Sequence, residues 1–166
     1  MLLLRIMPVL LIAAFASGQA DTTSIRSQEA ALTTAIRTRD KAALTLLTDA
    51  NLHVSWDCGS VVKNFHAELS RDEWLDDVSR LKINSYLTKI SKIHFTARGP
   101  LKYDTAAQAD VAEHLQIRLP QGRGTLNKNL IATDAWVKRG STWKLAVRIY
   151  RTVPCQDGPQ LVFPPN

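Results

Sequence analysis

The sequence predicts an α+β domain, and three observations carry that prediction. Apolar residues at helical spacing are confined to the first half of the chain, up to about residue 81. From residue 86 the apolar period changes to two, over four long runs. Only short breaks separate those runs, "GP" at 99–100, "PQGRG" at 120–124 and "RG" at 139–140, so they read as an antiparallel meander. Helices gathered before an antiparallel sheet are the α+β arrangement, since the sheet must bury one face and the helices are its available cover. A chain of 166 residues, 45% apolar and 22% charged, suits one globular domain.

The first twenty residues stand apart from that domain. "MLLLRIMPVLLIAAFASGQA" has one cation, Arg5, then an apolar run from Ile6 to Ala16, then small residues. This is the pattern of a secretory signal peptide. Cleavage after Ala16 or after Ala20 satisfies the small-residue rule, and Ala20 is preferred because Asp21 then opens a polar terminus. The run is short for a membrane span, and no later run is long and apolar enough for one. The expected division is a signal peptide over 1–20, a folded domain over 21–153 and a Pro/Gly-rich tail over 154–166. The expected location is periplasmic or secreted. Removal of 1–20 takes Arg5 and no acid from the 21 Lys and Arg, leaving 20 against 15 Asp and Glu, a net charge of +5. Export removes nucleic acid as the usual partner of such a charge, so no nucleic-acid role is expected.

Within the domain, Ile25, Leu32 and Ile36 recur near helical spacing, with Ala31 and Ala35 beside them, over residues 22–37. Arg39-Asp40 breaks this helix, and Asp40 N-caps a second, from Lys41 to about Asp49. "NLHVSW" alternates, with Leu52, Val54 and Trp56 on one face of a short strand and His53 and Ser55 on the other. "DCGS" turns the chain, and Val61-Val62 begins a brief return strand. Ser70 with Glu73 forms a capping box for a third helix, along which Trp74, Leu75, Val78 and Leu81 follow at helical spacing. Strands then cover 86–98, 105–119, 126–138 and 142–153. With Arg139-Gly140 as a two-residue turn, Trp136 faces Trp143 across the last hairpin and pins its register.

Arg39-Asp40, Asp57 with Gly59, "LSRDEWL" at 69–75 and "TDAWVKRGSTWKL" at 133–145 carry a resemblance. The chain resembles the nuclear transport factor 2-like superfamily, in the branch shared by SnoaL-like polyketide cyclases and many small bacterial domains of unknown function. The resemblance covers about residues 24–153. It implies a cone-shaped, mostly antiparallel sheet wrapped around the three helices, a pocket at the mouth of the cone and frequent homodimers. The pocket is assigned to Trp56, Trp74 and Trp136. In this superfamily the first strand lies parallel to the last, which brings Cys58 and Cys155 to one sheet edge. The implied disulfide, closing a loop between positions 97 apart, contributes about 4–5 kcal/mol on the chain-entropy account. An even cysteine count in an oxidising compartment agrees with it.

The resemblance does not assign chemistry. Steroid isomerases of the superfamily place an aspartate base three residues before a glycine. Aligned on Gly59, that position holds Trp56, and Asp57 is one residue off and faces the other way. The first helix also has no tyrosine to act as an oxyanion donor. Three weaker catalytic candidates remain. Asp134 shares a face with Leu130, Ala132 and Trp136 in a regular strand, and a carboxyl among apolar neighbours has a raised pKa suited to acid or base work. A hydrogen-bonded or solvated strand residue is the commoner alternative. Glu113 alternates with Val111, Leu115 and Ile117, inward in that register and outward after a slip of one. His53 is the third.

The four histidines make no motif. The strand partner of His94 falls near residue 109, not at His114, so no metal site is expected, and nothing points to a cofactor. "GRGT" lacks a phosphate-loop lysine. Lys144, Arg148 and Thr152 share parity with Ala146 and Tyr150, which reads as a solvated outer face or a dimer face. The expected function is binding of a small hydrophobic molecule or a protein partner by an exported domain. The alternative is a SnoaL-like lyase, isomerase or cyclase using pocket carboxylates.

Overall fold

The computed structural model describes residues 7–57, 66–96, 106–118 and 124–152. Its helices are α1 (Met7–Thr38), α2 (Lys41–Leu47) and α3 (Arg71–Arg80). Its strands are β1 (Thr48–Asp57), β2 (His66–Ser70), β3 (Ile83–Thr96), β4 (Ala106–Arg118), β5 (Thr125–Arg139) and β6 (Thr142–Thr152). The strands form one curved, unclosed sheet in the order β2-β1-β6-β5-β4-β3, with β1 parallel to β6 and every other pair antiparallel. The α+β architecture expected from the sequence is the one observed. Among the described residues no helix is long and apolar enough to cross a membrane.

Local chemistry explains the joints. Arg39 takes a left-handed φ of 58°. Its N–H bonds the Ile36 carbonyl at 3.0 Å, and that of Asp40 bonds Ala35 at 2.9 Å. This Schellman pattern closes α1. Asp40 then accepts the Ala43 N–H at 2.9 Å and starts α2. Ser70 and Glu73 form the expected capping box, the Ser70 N–H reaching Glu73 Oε2 at 2.8 Å.

Three local expectations are corrected. First, α1 does not begin at residue 22 but runs unbroken from Met7 through residue 20. The apolar leader is rich in Leu and Ala, good helix formers, and its Pro8 falls in the first turn of the helix, where proline is tolerated. Second, the described return strand pairing with β1 is His66–Ser70, with Asp57 opposite His66. Residues 61 and 62 lie outside the described residues.

Third, the last hairpin turns on Gly140-Ser141, with Gly140 at φ 61° and Arg139 paired with Thr142. Trp136 therefore pairs with Leu145, and Trp143 pairs with Lys138. The Lys138 ammonium sits 5.5 Å from the Trp143 ring, and Phe95 meets that ring edge-on at 6.2 Å. Ala135 then pairs with Val147, which leaves Ala146 as an extra residue in β6. Such a bulge reverses which face each following residue points to. Trp143 and Leu145 are buried before it, and Ala146, Arg148 and Tyr150 are buried after it. The basic face read into β6 is thus interior at Arg148.

The core fills the space between helices and sheet. Ile25, Leu32 and Ile36 of α1, Leu44 of α2 and Trp74, Leu75 and Val78 of α3 pack against the inner face of the sheet. Thr33 of α1 bonds Thr88 of β3 at 2.8 Å.

Candidate functional site in the sheet interior

Burial of charge, not of apolar area, marks out the site. Glu29, Glu113, Asp134 and Arg148 are each no more than 3% exposed. Four elements deliver them. Glu29 falls on the apolar stripe of α1 with Ile25, Leu32 and Ile36, at helical spacing. Glu113 lies between Val111 and Leu115 on the buried face of β4. Asp134 is the inward residue of β5 next before Trp136, and it stands directly opposite Arg148 of β6.

Arg148 organises the group. Its guanidinium donates to the Glu113 carboxylate and reaches the Tyr86 hydroxyl at 3.4 Å. Its Nε is 3.5 Å from an Asp134 oxygen, an ion contact with no aligned hydrogen bond. Its carbon lies 4.9 Å from the Tyr150 ring, which in turn stacks on Trp56 at 4.3 Å. Trp136 donates its indole N–H to Glu29 at 2.7 Å.

Proton positions follow from these contacts. Burial, reinforced by the Glu29 charge, holds the Asp134 carboxyl well above the usual carboxylate range. Burial also raises Glu29, against the pull of Arg148 and the Trp136 N–H. Neither Asp134 oxygen accepts a bond from an N–H or hydroxyl donor among the described residues. Burial keeps both tyrosine hydroxyls protonated, raising Tyr86 well above its ordinary value and Tyr150 above its own. The Arg148 Nη1 group has no partner among the described residues. The arrangement offers a carboxylic acid, a carboxylate and a guanidinium inside an aromatic shell, which is proton-donor and proton-acceptor chemistry in a low-dielectric setting.

Of the residues expected from the sequence, Asp134 and Glu113 are both inward and meet at Arg148. Trp56, Trp74 and Trp136 are all buried in the same interior. His53 is not brought to them; its side chain is 45% exposed, with Nε2 3.6 Å from Glu68. His114 is exposed and bonds Asn129 at 2.8 Å, and His94 pairs with Gln108. Among the described residues no three His, Cys, Asp or Glu are placed to hold a metal. Cys58 and Cys155 lie outside the described residues. Sequence reasoning missed Glu29 and Arg148. Glu29 was legible, as a carboxylate inside an otherwise apolar helical stripe. Arg148 was not, because its facing depends on the bulge.

A hollow lies outside this group. About 420 Å³ opens against β3, β4 and β5, lined mainly by the outward-facing Leu87, Lys89, Ala112, His114, Asn129 and Ile131. It is a surface concavity on the other face of the sheet and contains no acid–base group from the interior except Glu113 at its wall.

No family model and no curated protein matches the chain. Solved structures do. An NTF2-like protein from Cytophaga hutchinsonii is 15% identical, with a TM-score of 0.62 over 81% of this chain and 98% of that one. A putative scytalone dehydratase from Novosphingobium aromaticivorans is 18% identical, with a TM-score of 0.62 over 83% and 87%. A ketosteroid isomerase-like protein from Erwinia carotovora atroseptica is 11% identical, with a TM-score of 0.59 over 79% and 95%. At these identities the likeness is one of architecture: the chain has the nuclear transport factor 2-like fold.

Proposed function

We propose that this chain is an exported domain that holds a small, largely apolar molecule in the sheet interior, with Arg148, Asp134 and Glu29 meeting the molecule's polar end. The observation that carries the reading is the unsatisfied Arg148 Nη1 donor, buried beside the Asp134 carboxyl. A buried polar group without a partner is rare in a folded protein, and a ligand is one way to satisfy it. The aromatic rings of Trp56, Tyr86 and Tyr150 around it supply apolar contact. Burial of inward residues falls off toward the start of β5, where Leu126 and Lys128 are half-buried, and access is assigned to that end. Export rests on the leader over 1–20.

Native mass spectrometry tests this directly. Protein purified without denaturation carries a small-molecule mass, and Arg148→Met loses it. A bare protein mass, together with no stabilisation by any member of an apolar ligand library, rejects the reading.

A second reading is favoured by the Asp134 and Glu29 carboxyls, both buried and both raised by that burial. Raised carboxyls of this kind serve lyases and isomerases, and two of the similar structures are named as a putative dehydratase and as ketosteroid isomerase-like. Asp134→Asn separates the two readings: a catalyst loses turnover of its substrate and keeps binding, whereas a binder has no turnover to lose. For a partner, we assign self-association to the outer sheet face, where Leu87 and Ile131 are 61% and 45% exposed. Sedimentation of Leu87→Glu beside wild type decides it, since unchanged mass excludes that face.

A further inference from the structure

Arg148 and Asp134 stand opposite each other on β6 and β5, 1% and 0% exposed. Each is incompletely bonded. The Arg148 Nη2 group donates to Glu113 and reaches the Tyr86 hydroxyl at 3.4 Å. Its Nε and Nη1 groups have no hydrogen-bond partner among the described residues, and neither oxygen of Asp134 has one. Open donors and open acceptors therefore lie side by side, with Nε 3.5 Å from Asp134 Oδ1 and no aligned bond between them. Buried polar groups are rarely left in that state.

This pattern selects among ligand head groups. A carboxylate accepts from Nη1, but it adds a negative charge where the guanidinium already holds Glu113, and no lysine or second arginine is buried among the described residues. It also has no hydrogen to give Asp134. An ammonium donates to Asp134, but it has no lone pair for Nη1 and sets its charge against the guanidinium. An ether accepts and cannot donate. A hydroxyl carries one hydrogen and two lone pairs on one oxygen, so it accepts from Arg148 and donates to Asp134 at once. Protonation of Asp134 leaves that need in place, because its second oxygen still lacks a donor. Water has the same capacity, and a ligand hydroxyl displaces it bond for bond.

We propose that the Arg148–Asp134 pair selects a neutral hydroxyl on an apolar body, so that the interior takes an alcohol and rejects the carboxylate, amine or ether of the same shape. The assignment deepens the interior binding reading and rests on it. Aromatic contact for the apolar body is at hand. The Tyr150 ring lies 4.9 Å from the Arg148 guanidinium carbon and stacks on Trp56 at 4.3 Å.

Titration of the full chain with five compounds of one shape tests the assignment. They are hydrocinnamyl alcohol, its methyl ether, hydrocinnamate, hydrocinnamylamine and propylbenzene, at about pH 7, where the acid and the amine are charged. Binding is read from the indole N–H resonances of Trp56 and Trp136, both buried in the interior, so occupation of the outer hollow is not counted. The alcohol is expected to bind at least about tenfold more tightly than each of the others, because an analogue lacking the hydroxyl leaves the site's polar groups unpaired. Arg148→Met is expected to close the gap between alcohol and propylbenzene. Asp134→Leu is expected to close the gap between alcohol and ether, and it serves where Arg148→Met does not fold. Ether, hydrocinnamate or amine binding as tightly as the alcohol in wild type overturns the assignment and leaves the interior binding reading standing. A preference for the alcohol that survives both substitutions does the same. Movement of the indole resonances by none of the five also overturns it, and the binding reading is then decided by its own mass-spectrometric test.

Discussion

Arg148 shows what one residue decides. Placed on the outer face it would be one more solvated cation; placed inside, it is the only buried counter-charge among the described residues. Breaking such a pair costs more than replacing it, because the surviving charge stays buried alone. Glu113→Ala is expected to cost about 3–5 kcal/mol in urea unfolding. The double variant Glu113→Leu with Arg148→Met is expected to be more stable than either single charge deletion, since it leaves no orphan on this axis. Costs that simply add would show that the two side chains do not act as a buried unit. Asp134 and Glu113 were legible as inward residues, because each alternates with apolar neighbours along a regular strand. Their partners were not, since Glu29 is 105 positions from Asp134 in the chain, and only packing joins a helix face to a strand.

At the scale of elements, local chemistry was the most readable. The α3 start follows from Ser70 and Glu73 alone, and the helix forms where the capping box places it. Ser70→Ala is expected to cost about 1 kcal/mol, read as a shift in the unfolding midpoint with unchanged denaturant slope. A neutral result would mean that tertiary packing of Trp74 and Leu75 holds the helix without its cap. Register was less readable than pattern. The last hairpin was expected to turn one residue earlier, and it turns where Gly140 adopts a left-handed backbone. The bulge at Ala146 has no sequence signature of its own. Buried residues on both parities of β6 are its only trace, and they show as a bulge only once β5 lies beside them.

For the whole molecule, the leader and the two cysteines make one joint proposal. We propose that residues 1–20 are removed on export and that Cys58 bonds Cys155. The parallel pairing of Asp57 with Arg151, one residue before Cys58 and four before Cys155 in the chain, supports the second part. The intact mass of protein recovered from the exported fraction should match a chain beginning at Asp21 and lacking two hydrogens. Two thiols open to alkylation would remove the disulfide, and a retained leader would remove the cleavage.

Periodicity, caps and turn residues determined by themselves that three helices precede a meander and that a sheet must fold over them, because these signals act within a few residues of their source. Which way Arg148 points, and hence whether the interior is merely apolar or carries charge, was decided only in the tertiary structure. A single extra residue in one strand reverses every side chain after it, and that residue is extra only relative to its neighbour.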